Sequence, residues 1–225
     1  MTTRNIPKAQ QLQETLDRLN EDLLSLSDEI WLNIDHNDTE AMREGVAFKE
    51  KYNDKLEAFA RLSQEMADFF SDVQRFDVED GPEMQGSLEP DQARIIASLD
   101  KETPHRIDED FRYKRPHAMI LQGVAYDNLR TWKAVYHAVI THLQRLDSDR
   151  YLQLPDAKCS QSKRGAIYIG STPKGMRVPE EGAGGLYFEV NQSATLLQKN
   201  IRRLLAYFSI PETEIAIYLR EDRDA

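Results

Sequence analysis

Six apolar residues, Leu12, Leu16, Leu19, Leu23, Leu26 and Ile30, recur at alternating steps of four and three along the first segment. Only an α-helix gathers such a series on one side, because strand side chains alternate with every residue. The spacing is that of a heptad seam, whose apolar positions face a neighbouring helix. Pro7 suits the first turn, where its missing N–H removes no hydrogen bond. Glu14, Asp17, Arg18, Glu21 and Asp22 fill the outer positions.

The rhythm stops at NIDHNDTEA, residues 33–41, where turn formers gather and Asp38 or Thr39 can cap a second helix. That helix carries Tyr52, Leu56, Phe59, Met66, Phe70 and Val73 in heptad register, with Ser63 at one seam position. Gly45 weakens its early part by about 1 kcal/mol relative to alanine. Phe48, Leu62, Phe69 and Phe76 form a further stripe beside the seam, and Leu24 and Trp31 are spare apolar groups on the first helix. Two helices packed only on each other cover one seam, so this surplus asks for more helix surface. The expectation is a homodimer or higher oligomer with Phe48, Leu62, Phe69, Phe76, Leu24 and Trp31 at the interface. Cover by the C-terminal domain or by an unrelated protein partner is the competing arrangement.

Beyond the hairpin, assigned to residues 1–76, DVEDGPEMQGSLE has two glycines, a proline and no apolar period. Residues 77–111 read as a linker holding one short helix near 89–100. Residues 112–225 read as a small α/β domain. AMILQGVAYDN is a strand or hairpin, and a helix follows through Trp132, Val135, Tyr136, Val139, Ile140 and Leu143. GAIYIG and GLYFEV are strand-like, rich in aromatic and β-branched residues between glycines. A second helix, capped by Asn191 or Ser193, shows Leu197, Ile201, Leu204, Leu205 and Phe208 on its apolar face, and Pro211 follows its end. EIAIYLR is the last strand. The fold class is therefore α+β: a long antiparallel coiled-coil hairpin, then a mostly antiparallel or mixed sheet with two helices over one face.

RPHAMILQGVAYDNLRTWKAVYHAV together with GLYFEVNQSATLLQKNIRRLLAYFSIPETEIAIYL resembles a C-terminal α/β domain of uncharacterised bacterial proteins. The resemblance spans residues 112–220, includes none of the hairpin and implies no activity. A bacterial or phage source is what it implies.

The formal net charge of −10 is divided unevenly. Residues 1–111 hold 12 Lys and Arg against 27 Asp and Glu, whereas residues 112–225 hold 17 against 12. An acidic half and a mildly basic half suggest modules with different partners. No run approaches the roughly 18 apolar residues of a membrane span, and MTTRNIPKAQQ lacks a signal-peptide core. A single cysteine, Cys159, offers no internal disulfide. The chain reads as cytoplasmic.

No set of residues advertises catalysis. His137 and His142 are five apart on a helix and diverge, while His105 and His117 flank a polar stretch without a cysteine pair, so no metal site is expected. Cys159 shows no orienting base. GSTPKG lacks the Gly-Lys-Ser/Thr ending of a phosphate loop, and EEGAGG precedes a strand instead of following one. No cofactor is indicated. The remaining candidate is a basic face built from Lys163, Arg164, Lys174, Arg177, Lys199, Arg202 and Arg203, with Lys158 beside them. Such groups bind phosphates by releasing counterions, and Tyr168 or Tyr187 could stack on bases. A solvated hairpin whose lysines guard an edge strand is the plainer reading. The expected role is a non-enzymatic oligomerising adaptor or regulatory subunit that binds a protein partner, in a bacterial complex concerned with DNA or phage. Nucleic-acid binding is the alternative, and an unrecognised enzyme comes after it.

Overall fold

The computed structural model describes residues 7–36, 38–75 and 88–223. They belong to two units, residues 1–90 and residues 91–225.

The first unit is a pair of helices, α1 (Pro7–Leu32) and α2 (Thr39–Arg75). Asp38 stops the turn and starts α2: its Oδ1 accepts from the backbone N–H groups of Glu40 (2.8 Å) and Ala41 (3.2 Å), two of the donors a helix start leaves unpaired. Gly45 is explained by the turn as well, because a Cβ there would collide with the Ile34 side chain. The helices run in opposite directions. Lys49 Nζ donates to the Ser27 carbonyl (2.7 Å) and hydroxyl (2.5 Å), and Tyr52 Oη donates to the Leu23 carbonyl (3.1 Å).

The contact line differs from the expected leucine seam. Leu24, Ser25 and Ser27 are buried on α1, and Leu56, Ala60 and Ser63 on α2. Leu12, Leu19 and Leu26 are 55%, 45% and 39% exposed. Small residues account for the shift: Ser27, Ala60 and Ser63 let the backbones approach, and Lys49 and Tyr52 then reach carbonyls across the gap. The packed face of α1 is thus turned by about 100°, one residue of helix rotation, from its leucine row. Leu24, expected at an oligomer interface, is instead 8% exposed within the pair. Trp31 is half-buried and stacks near His36, with ring centroids 5.6 Å apart. Phe48, Leu62 and Phe69 remain exposed, and Phe76 lies outside the described residues.

The second unit begins in α3 (Leu88–Leu99), which is followed by β1 (His105–Arg106), β2 (Pro116–Leu121), β3 (Val124–Tyr126), α4 (Trp132–Leu146) and α5 (Ser148–Leu152). Then come β4 (Ile169–Gly170), β5 (Pro179–Glu181), β6 (Tyr187–Glu189), α6 (Ala194–Tyr207), β7 (Ile215–Leu219) and α7 (Arg220–Arg223). The strands form two antiparallel sheets, ordered β1-β7-β2-β3 and β4-β6-β5. The chain is α+β, with the sheet divided in two rather than single. Segment 77–111 is more than a linker over its described part, since β1 pairs with β7 and Ile107 and Phe111 are fully buried.

The β2–β3 hairpin turns through Gln122 and Gly123, both with positive φ (49° and 75°), as a two-residue loop of matching twist requires. One face of the four-stranded sheet gives Met119, Leu121, Ile215, Ile217 and Leu219 to the main core, against Trp132, Tyr136, Leu197 and Ile201 of α4 and α6. The other face holds a smaller cluster in which Leu99 of α3 meets Ala118, Ala125 and Tyr218. Gln92 of α3 lies alongside the edge strand: its amide donates to the Ala125 carbonyl (3.0 Å) and accepts from the Ala125 N–H (2.8 Å).

EVNQSA, residues 189–194, is a buried polar corner between β6 and α6. The Glu189 carboxylate accepts from the N–H groups of Arg177 (2.5 Å), Val178 (3.3 Å) and Asn191 (2.8 Å). Gln192 donates to the Glu189 carbonyl (2.5 Å), and Asn200 donates to Gln192 (2.6 Å). Ser193 occupies the N-cap position of α6.

Leu197 is completely buried at the centre of this core. Leu197→Ala is expected to lower unfolding free energy by about 2–5 kcal/mol in urea titrations that follow the second unit.

Candidate functional site

Two surfaces stand out once burial is accounted for: an open apolar face on the helix pair and a basic depression on the second unit.

The apolar face follows from the shifted contact line. Leu19, Leu23, Leu26 and Ile30 each precede an α1 residue on or near the contact, Asn20, Leu24, Ser27 and Trp31. Phe48, Phe59 and Leu62 likewise precede Lys49, Ala60 and Ser63 on α2. Equal rotations on antiparallel helices point to the same side of the pair, so both rows share one face. Of that face, Leu12, Leu19, Leu26, Phe48, Leu62, Met66 and Phe69 are exposed. Scattered exposed leucines are ordinary, whereas apolar side chains gathered on one side of a helix pair are the usual candidates for an interaction surface.

The basic residues expected to share one face divide into groups. Lys163 and Arg164 project from a tight turn in which Ser162 Oγ accepts from the N–H groups of Arg164 (3.2 Å) and Ala166 (2.8 Å). Lys174 and Arg177 are exposed further along, and the Arg177 backbone is tied to Glu189. On α6, Arg203 donates to Asn200 (3.2 Å), and its guanidinium lies 5.9 Å from the Tyr168 ring centroid. Lys199, one helical turn earlier, is on the same side. Arg202 points elsewhere and is engaged with Glu212 at 2.7 Å, which holds its pKa above the ordinary arginine value.

Lys158, Lys163 and Arg203 do meet. With Gln161 and Tyr207 they line a depression of about 560 Å³. Arg164, Lys174, Arg177 and Lys199 do not line it. Tyr168, named from sequence as a stacking residue, is half-buried beneath Arg203, and Tyr207 is the aromatic at the depression itself. Tyr207 escapes sequence reading because it occupies the last helical position of α6, next to the apolar face that ends in Phe208.

Cys159 lies in the same depression, but burial pushes its thiol up, leaving less of the reactive thiolate. Among the described residues, no three or more His, Cys, Asp and Glu side chains are grouped as a metal site would need. The histidines serve individual contacts. His105 Nδ1 pairs with Glu109 (2.8 Å), and His117 Nε2 with Glu102 (2.5 Å). Burial holds His142 below its usual range; the neutral ring accepts from Tyr126 Oη (2.9 Å) at Nδ1 and donates from Nε2 to Gln122 (3.1 Å). His137 belongs to a charged clamp, in which the Glu180 carboxylate of β5 lies 2.5 Å from Lys133 Nζ and 2.7 Å from His137 Nε2, both on α4.

No protein-family model, curated protein or solved structure matches the chain.

The clamp generates a pH-dependent stability. Burial alone would raise the Glu180 pKa, but the His137 hydrogen bond and the Lys133 charge outweigh it, taking the group from 4.5 to about 2. A lowered folded-state pKa stabilises the fold above the ordinary carboxyl value, and the contribution fades as pH falls towards the folded value. Glu180→Gln is therefore expected to cost roughly 2–3 kcal/mol at neutral pH, with the deficit shrinking as pH drops from 4.5 to about 2. Urea midpoints measured for both proteins across that range check this, and a deficit independent of pH contradicts it.

Proposed function

We propose that the chain is a non-enzymatic, oligomerising adaptor or regulatory subunit of a bacterial intracellular complex. The helix pair joins one copy to another, and the α/β unit binds a protein partner. The observation that carries the assembly is the exposed two-helix face of Leu12, Leu19, Leu26, Phe48, Leu62, Met66 and Phe69. A second hairpin laid against it would complete a four-helix bundle, in which every apolar row meets another. The isologous form of that contact needs only one surface, which a dimer uses twice. Both hairpins are acidic and repel each other, while apolar burial gains from added salt. The assembly is therefore expected to survive or tighten as salt rises. Action on DNA or against phage is the setting proposed for the complex.

Light scattering coupled to size exclusion, run across the micromolar range, is expected to give at least twice the monomer mass. Leu62→Glu with Phe69→Glu should yield folded monomers, because both positions are solvent-facing in the single chain. A wild-type monomer at every concentration removes the reading.

A second reading is favoured by one observation, the meeting of Lys158, Lys163 and Arg203 beside Tyr207. Three cations lining one depression with an aromatic ring suit a single-stranded phosphodiester. Arg150, 5.1 Å from the Tyr207 ring centroid, leaves at most one face of that ring for a stacked base. Fluorescence anisotropy with single-stranded DNA should show affinity that falls steeply with salt. Lys158→Glu with Lys163→Glu should abolish most of it and reduce the salt slope by roughly one per lost phosphate contact. Equal binding by the variant rejects the depression as the site.

A further inference from the structure

We propose that the outer edge of β3 is a docking site for an extended segment of a protein partner, and that Gln92 of α3 holds the place of that segment until it binds. The inference rests on the reading of the α/β unit as the part that takes a protein partner, and it names the place and the kind of segment. In the β2–β3 ladder Met119 faces Tyr126 and Leu121 faces Val124, with Ile120 opposite Ala125 between them. Backbone groups alternate in direction along such a ladder, and the Ala125 N–H and carbonyl turn away from β2 to α3. One side chain takes both: the Gln92 amide accepts from the N–H at 2.8 Å and donates to the carbonyl at 3.0 Å. A side-chain amide carries the same donor and acceptor as a peptide unit, so Gln92 stands where one residue of a neighbouring strand would.

The other margin of the sheet, at β1, is closed from within its own loop. Glu109 gives its N–H to the Arg106 carbonyl (3.1 Å), and its carboxylate accepts from the Arg106 N–H (2.7 Å). That guard lies three residues along the chain, whereas Gln92 is 33 residues from Ala125 and belongs to a separate helix. The β3 edge is therefore uncovered by moving α3 alone, with the sheet intact. Few side chains seat that helix. Among those described, Leu99 alone is buried, against Ala118, Ala125 and Tyr218, while Ala93, Ala97 and Ser98 are exposed. Beside His117, which pairs with Glu102 at 2.5 Å just past the helix end, a cleft of about 400 Å³ lies between α3 and the sheet. A seat filled so incompletely forgoes dispersion contacts, and less is lost when α3 leaves it than when a close-packed helix is displaced.

The surroundings define the segment. A residue paired with Ala125 places its side chain on the same side as the Ala125 methyl group, which is the face Leu99 now covers. An aliphatic residue belongs there. Charge does not select it, because Glu102 and Asp127 line the cleft together with Arg130 and Arg220. Recognition comes from the main chain, as in other cases of strand addition to a sheet edge. A helical partner cannot supply it, since its N–H and carbonyl groups are already bonded to each other.

The test uses the isotope-labelled full chain and a short synthetic peptide of alternating threonine and valine with lysine at each end. A counterpart with proline in place of every valine lacks the N–H groups that would face Ala125. Gln92→Ala is expected to speed amide exchange at Ala125 by roughly fivefold or more, and to tighten peptide binding by a similar factor because the competing amide is gone. Gln92→Glu still accepts from the N–H but cannot donate to the carbonyl, so it should fall between, and it is read instead if Gln92→Ala fails to fold. Saturating peptide should restore protection at Ala125, and the proline peptide should not. The proposal is overturned if exchange and affinity ignore both substitutions, or if the proline peptide binds equally well. Peptide-induced shifts confined to other parts of the unit reject the edge and keep the reading of a protein-binding α/β unit. No shift anywhere in residues 91–223, in wild type or variant, rejects the edge and counts against that reading too.

Discussion

Which side of α1 meets α2 is decided by small residues. Ser27, Ala60 and Ser63 allow close approach, and the lysine and tyrosine that reach across satisfy carbonyls on the opposite helix. Had the leucine row been the contact, its side chains would have held the backbones further apart, and Lys49 would not reach the Ser27 carbonyl. Everything distinctive about the first unit follows from that choice. Dispersion and close packing favour the serine–alanine line, and the bulky rows are left together on one open side. A hairpin of this kind leaves apolar rows open to solvent, and the proposed assembly rests on those rows.

The second unit solves a different problem with polar groups. Its short strands give few ladder hydrogen bonds, so side chains make up the difference. The Glu189 carboxylate gathers three backbone donors where β6 bends into α6, and Gln198 of α6 reaches the carbonyls of Ile107 (2.6 Å) and Glu109 (2.5 Å). Tyr151 pins Ala183 at 3.0 Å, and burial pushes its phenol up to about 12. Buried polar groups left unpaired are costly, and paired ones fix geometry. The corner is thus held in place by hydrogen bonds that an apolar contact could not orient.

Much of this architecture was legible in the residues. Both long helices, the Asp38 cap, the apolar sides of α4 and α6 and the last strand are local consequences of periodicity and capping. The buried side of α1 was not legible, because heptad spacing ranks residues by hydrophobicity and takes no account of how closely small ones let helices approach. Leu24 was misplaced for that reason. The segment around Ile107 and Phe111 looked like linker because short strands beside charged residues carry no periodic signal. The depression was half legible. Charge identified Lys163 and Arg203, but only the fold could separate them from Arg202, which is one residue away and occupied by Glu212. The cleft at His117 was invisible, since its lining comes from four separate stretches of chain.

Gln92 carries a consequence of its own. A sheet's outermost strand ordinarily presents bare amide groups that another extended segment can adopt. In β3 the two groups of Ala125 are taken by one side-chain amide, which mimics a further residue of strand. The guard is therefore conditional on α3 staying in position. Where α3 lifts, the Ala125 groups are uncovered, and this margin of the sheet becomes able to take up another extended segment.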